Sequence, residues 1–229
     1  ALVLCLVLGK RVGYGRENLA PHNLVLTVIG AALLWVGWFG FNAGSELAAD
    51  GNAGMAMAVT QIAAASAALA WMFAEWMMRG KPSVLGIASG AIAGLVAITP
   101  AAGFVLPGGA LVLGLLAGLG CFFAVMWLKH KLGYDDALDV FGVHGIGGII
   151  GAVLTGVFAV EAVGGTPGLL EGNSGQIGLQ LYGIGVTIAY SAIATFILIK
   201  LVGAVMGLRV EEDEEREGLD ISLHGESIA

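Results

Sequence analysis

DVFGVHGIGGIIGAVLTGVFAV, residues Asp139–Val160, carries no charge from Val140 onward and one ionisable side chain, His144. The run is long enough to cross a bilayer, and an ionisable group placed in hydrocarbon is expensive and rarely accidental. A helix starting near Asp136 puts His144 eight residues in. That is roughly 12 Å at 1.5 Å per residue, near the middle of a hydrocarbon core ~30 Å thick. Two roles fit such a histidine. It can hydrogen-bond a neighbouring helix and serve packing alone, or it can be a polar element of a permeation path.

The rest of the chain agrees with a membrane setting. Hydrophobic residues make up 58% and charged residues 12%, with a mean hydropathy of +0.90, against roughly 25% charged in a soluble domain. The net charge of −7 is concentrated rather than spread: EEDEERE at 211–217 holds six acids and one arginine. No basic patch exists to bind nucleic acid. Cys5 and Cys121 both fall in apolar runs, which fits neither a disulfide nor a metal ligand. No zinc-ligand spacing, Walker loop, HExxH or nucleophile motif occurs, so no metal, cofactor or enzymatic chemistry is expected.

Charge-free windows mark the spans. Asn23–Ser45 lies between Glu17 and Glu46, and Gly51–Ala74 between Asp50 and Glu75. Pro82–Leu128 is uncharged over 47 residues, too long for one crossing and right for two. Its break belongs at TPAAGFVLPGG, where Pro100, Pro107 and three glycines oppose a continuous helix. Asp136–Val160 and Ser174–Val205 complete the set. ALVLCLVLG at the start is too short to span and lacks the basic flank of a signal peptide, so it reads as the end of a helix that begins upstream. The expected fold is therefore an all-α polytopic membrane bundle, with about six complete transmembrane helices plus the end of another. Residues 1–209 form the membrane domain and 210–229 a polar tail whose last few residues are solvated.

Loop charge gives the orientation. Lys10, Arg11 and Arg16, then Arg79 and Lys81, then Lys129 and Lys131, then Lys200 and Arg209 alternate with connections that hold only acids or no charge. The positive-inside rule makes the basic loops, and with them the C-terminal tail, cytoplasmic. Glycines four apart, at Gly86, Gly90 and Gly94, Gly114 and Gly118, and Gly147 and Gly151, give smooth helix faces on which backbones approach closely.

On the span ending at Ser45, Leu34, Trp38, Phe41 and Ser45 recur every three or four residues and share one helical face. Aromatic faces and a hydroxyl at an outer mouth can hold a small cation, although an interfacial aromatic belt accounts for the pattern without any ligand. Asn42 is read as bonding a neighbouring helix, and Thr99 as capping or bonding within the Pro100 break. Asp136 and Asp139 are read as caps on the His144 helix. Asp139, five residues before His144, does not share its face. His224 is expected to be exposed.

Four blocks in this order, WVGWFGFNAGS, RGKPSVLGIASGAIAGLVAITPAAG, DVFGVHGIGGIIG and EREGLDISLHGE, resemble the C-terminal half of the Amt/Mep ammonium transporters. GWFGFN resembles the Amt/Mep branch more than the Rhesus branch. The resemblance implies a homotrimer in the cell (plasma or inner) membrane, with a narrow hydrophobic pore in each subunit, serving nitrogen uptake. It implies that Trp38 and Ser45 recruit ammonium and that Phe41 is one of two stacked gate phenylalanines. It also implies that His144 is the second of two pore histidines and that Leu34 and Val140 line the pore. The first histidine, the other gate phenylalanine, a second recruitment tryptophan and a buried aspartate would lie upstream of Ala1, so the natural protein is expected to be longer. EREGLD resembles the family tail that couples subunits and meets PII-type regulatory proteins. The alternative function is an ammonium-sensing receptor that signals through that tail.

Overall fold

The computed structural model describes residues 1–226, and these are helical with no strand among them. The last residues of the tail, expected to be solvated, lie outside the described residues. A short helix, α1 (Leu2–Leu8), precedes α2 (Leu24–Ala43), α3 (Gly51–Arg79), α4 (Val84–Ile98) and α5 (Pro107–Phe123). Then come α6 (Ile146–Phe158), α7 (Gly175–Met206) and a tail helix, α8 (Glu212–Glu217). Among the described residues, five helical stretches are long and apolar enough to cross a membrane: Leu24–Glu46, Gly51–Arg79, Pro107–Leu132, Phe141–Phe158 and Gly175–Met206.

Local chemistry sets the ends. Asn23 accepts from the Leu26 amide to start α2, and Asp50 accepts from Asn52 and Ala53 to start α3. The span expected over Gly51–Ala74 does not stop at Ala74. It runs on to Arg79, because Glu75 is accommodated inside the helix: its carboxylate is buried and accepts from the Ser83 amide and hydroxyl at 3.0 Å. The stop is Gly80, at φ 79° in the left-handed region.

The long uncharged run does break at Pro100. α4 ends at Ile98 and α5 begins at Pro107. At 15 residues, α4 is roughly 22 Å long, short of a bilayer crossing. Turns through Ala101, Ala102 and Val105 extend it, and all three residues are buried. Irregular backbone at such depth is tolerated where protein covers it.

The glycine faces fall where helices meet. α3 is central: a methyl on Gly94 would strike the Ala63 carbonyl and lie 2.7 Å from the Ala67 side chain, while Gly90 lies against Trp71 and Ala67. Gly114 and Gly118 on α5 close on Ala63 and Ala67 of α3, and Gly151 on α6 closes on the Ala97 carbonyl. These seams hold α3, α4, α5 and α6 together by close contact, which is the attraction left to helices once lipid has removed the hydrophobic one. By contrast α2 and α7 are packed on few sides, and their long apolar faces stay exposed.

The connections sort to two ends. Arg11 reaches Asp135, Lys129 reaches Asp139, and Arg209 reaches Glu215, all at one basic end. The connections around Glu46, residues 99–104 and residues 163–165 meet at the other.

Candidate functional site

The face of α2 expected from spacing is real and open. Leu34 and Phe41 are 55% and 62% exposed, and with Gly30, Leu33, Gly37 and Trp38 they line an apolar groove of about 490 Å³. Beyond it, at the end away from the basic loops, a second basin of about 580 Å³ is lined by Phe41, Asn42, Ser45, Glu46, Thr99 and Phe104, among others. Phe41 borders both spaces. Ser45 borders only the polar basin, and Leu34 and Trp38 only the groove.

Trp38, Asn42 and Ser45 each have a defined partner, whereas the buried indole nitrogen of Trp35 on α2 has none among the described residues. The Ser45 hydroxyl donates to the Phe41 carbonyl at 2.6 Å, which leaves its lone pairs as acceptors facing the basin. Asn42 is buried and donates from Nδ2 to the Thr60 hydroxyl at 3.0 Å, and Thr60 donates to the Ala56 carbonyl. Trp38 donates from Nε1 to the Thr99 hydroxyl at 2.7 Å, and Thr99 donates to the Leu95 carbonyl at 2.7 Å. Thr99 thus bonds within its own broken segment and also across to α2. Neither contact has a sequence signature, since Trp38 and Thr99 lie 61 residues apart.

His144 departs from its expected setting. The helix does not begin at Asp136; it starts at Val140 with a π turn, Phe141–Gly145, leading into α6. Counted from Val140, the first helical residue, His144 stands four residues in rather than eight, and the distance from the helix start falls to roughly 6 Å. The cause is the chain before it. Asp136 accepts from the Phe141 amide at 2.7 Å and caps the turn. Asp139 is no side-chain cap: it sits at φ 55° and its carboxylate takes Lys129 Nζ at 2.7 Å.

The π turn packs on a second one, Ala124–Leu128, that continues α5. Gly142 lies against Val125, and the Cys121 thiol donates to the Val143 carbonyl at 3.6 Å. π turns re-aim side chains and recur at functional sites. His144 lies in this turn, and its ring is exposed and makes no hydrogen bond among the described residues. α4 packs against both α2 and the His144 turn.

At the basic end, Val140 lines a cavity of about 700 Å³ with Arg11, Asp135, Asp136, Arg209 and Glu215. Asp135 is buried and Arg11 grips it with two nitrogens at 2.8 and 2.9 Å. Burial pushes the Asp135 carboxyl up, but the hydrogen bonds and charge of Arg11 outweigh it and hold it below the usual range. Glu215 of α8 is likewise held low, first by Arg209 and then by the Val12 amide. No group of three or more metal-ligating side chains occurs among the described residues.

The profile of the Ammonium Transporter Family matches residues 1–228. This chain belongs to the ammonium transporter family. It is 56% identical over 225 residues to the ammonium transporter of Aquifex aeolicus, covering 98% of this chain and 52% of that one. Its fold matches the crystal structure of Saccharomyces cerevisiae Mep2 with a TM-score of 0.85 at 40% identity, over 93% of this chain and 50% of that one. It also matches a sensor Amt protein with a TM-score of 0.88 at 30% identity, over 97% of this chain and 56% of that one. The chain spans about half the length of these ammonium transporter relatives.

Proposed function

We propose that this chain forms half of a pore that moves ammonium across the cell membrane as ammonia plus a proton. The observation that carries the reading is the place of Phe41, shared between a polar basin and an apolar groove. The basin is the outer mouth and the basic end, with the tail, is cytoplasmic. Ser45, with free lone pairs, accepts an N–H of ammonium and the face of Phe41 attracts the cation, while Trp38, the other recruitment candidate, backs Phe41 from one turn deeper.

Ammonium and potassium are alike in size and charge, so a filter based on size discriminates poorly. Only ammonium has a proton it can lose. Passing Phe41 into an apolar groove penalises any ion and favours ammonia, so ammonium gives up its proton at the gate to the histidine relay that includes His144 and goes on as the neutral molecule. Ammonia then travels past Leu34, His144 and Val140. The exposed imidazole supplies the hydrogen bonds that the apolar walls lack, and it passes protons onward in concert with a second histidine. Asn42, Thr99 and Asp139 hold the helices that present these groups. No step calls for a cofactor, and the protein is a transporter rather than an enzyme. Its assembly is a homotrimer in the bilayer, with the basic end and tail open to a PII-type regulator.

The rival is a receptor that binds ammonium and signals through the tail, favoured by the likeness to a sensor Amt protein. The two readings part in liposomes containing the protein expressed from its whole gene. An inward ammonium gradient is expected to drive a current that potassium does not. Ammonium binding with no current would overturn transport in favour of sensing.

A further inference from the structure

We infer that Thr99 is a positioning residue for the gate, acting on Phe41 through the indole of Trp38. The inference rests on the proposed role of Phe41. Phe41 is 62% exposed, and the aromatic contact that steadies its ring is the edge of Trp38, with centroids 6.0 Å apart and planes at 79°. Trp38 in turn has one polar tie, from Nε1 to the Thr99 hydroxyl at 2.7 Å.

The direction of that tie is fixed by the indole, which can only donate, and the Pro100 break gives the Thr99 hydroxyl a carbonyl of its own to donate to. Proline at 100 brings no amide hydrogen, and the Thr99 amide closes on Val96 at 3.3 Å rather than one residue further back. The Leu95 carbonyl is then left to the Thr99 hydroxyl, which donates to it at 2.7 Å. With its only proton committed, the hydroxyl can offer Trp38 nothing but an acceptor, and the indole N–H is donor only. The pair fits in one sense, so the indole is set at one angle. Thr99 also lines the polar basin, so the helix break, the basin wall and the gate aromatics form one connected unit.

The test uses Thr99→Val, which keeps the shape and removes the acceptor, and Thr99→Ser, which restores it. Both are made in the intact protein expressed from its whole gene. Two quantities are read: the indole N–H hydrogen-bond band in ultraviolet resonance Raman spectra, assigned by difference against Trp38→Phe, and methylammonium uptake with and without potassium. Thr99→Val is expected to shift the band to its unbonded position and to lower uptake about ten-fold, the scale expected when a donor loses its partner. Thr99→Ser should return both, and Thr99→Val combined with Trp38→Phe should be no slower than Trp38→Phe alone. Should Thr99→Val fail to reach the membrane, Thr99→Cys, a weaker acceptor, is expected to give an intermediate loss of both band and uptake.

A shifted band with uptake and potassium exclusion both unchanged, in Thr99→Val or Thr99→Cys, would overturn the positioning role and leave transport intact. Wild-type protein that takes up no methylammonium would instead remove the gate reading on which the inference rests.

Discussion

Two threonines hold α2 to the bundle by the same device. Thr60 and Thr99 each donate to the carbonyl four residues back and accept from α2, from Asn42 and Trp38 respectively. The acceptor role is forced, because each hydroxyl has a single proton. Asn42→Asp therefore faces Thr60 with a second acceptor and no donor. It should cost about 1–3 kcal/mol of stability, the range for a buried polar group left without its partner. Thermal unfolding in detergent checks this, and Asn42→Ser, which keeps a donor, should lose less. The sequence identified Asn42 as a helix-bonding residue but not Thr60 as its partner. A lone threonine in an alanine-rich helix gives no sign of which neighbour it meets.

Among the elements, the small-residue seams set what the helices tolerate. Gly94→Ala drives a methyl into the Ala63 backbone carbonyl, which cannot turn aside, whereas at Gly147 the nearest atom is the Cys121 sulfur at 3.2 Å. Gly94→Ala should cost about 1–3 kcal/mol by overpacking and Gly147→Ala less; relative melting temperatures of the two variants decide it. These seams were legible in advance, since spacing by four needs no knowledge of the partner helix. The start of the His144 helix was not. DALDVFGVHG reads as helix from Asp136, and what delays the start past residues 136–139 is Asp139 turning to φ 55° to reach Lys129, ten residues earlier in the chain. Span ends defined by charge were also too strict at Glu75, because a buried carboxylate with two hydrogen-bond donors from Ser83 can remain inside a helix.

For the molecule as a whole, charge alternation and apolar length made the architecture readable, because hydrocarbon punishes any other arrangement. The tail contacts were not readable: Glu215 meets the Val12 amide 203 residues away. Asp135 and Glu215 are both held below their ordinary values. A carboxyl with a lowered folded value stabilises fully above its unfolded value and loses that contribution as pH falls through the folded one. The tail should therefore stay docked from neutrality down to the ordinary carboxylate values of 3.8 and 4.5 and release below them. Protease access to residues 211–217 across pH reports this, with Asp135→Asn and Glu215→Gln flattening the acid limb. The central claim is that ammonium crosses as ammonia past the His144 imidazole. The most direct measurement is the ammonium current, with potassium competing, in liposomes holding wild-type protein or His144→Ala. A slower ammonium current or lost exclusion of potassium in the variant is the predicted result. Unchanged ammonium current together with unchanged exclusion of potassium would contradict it.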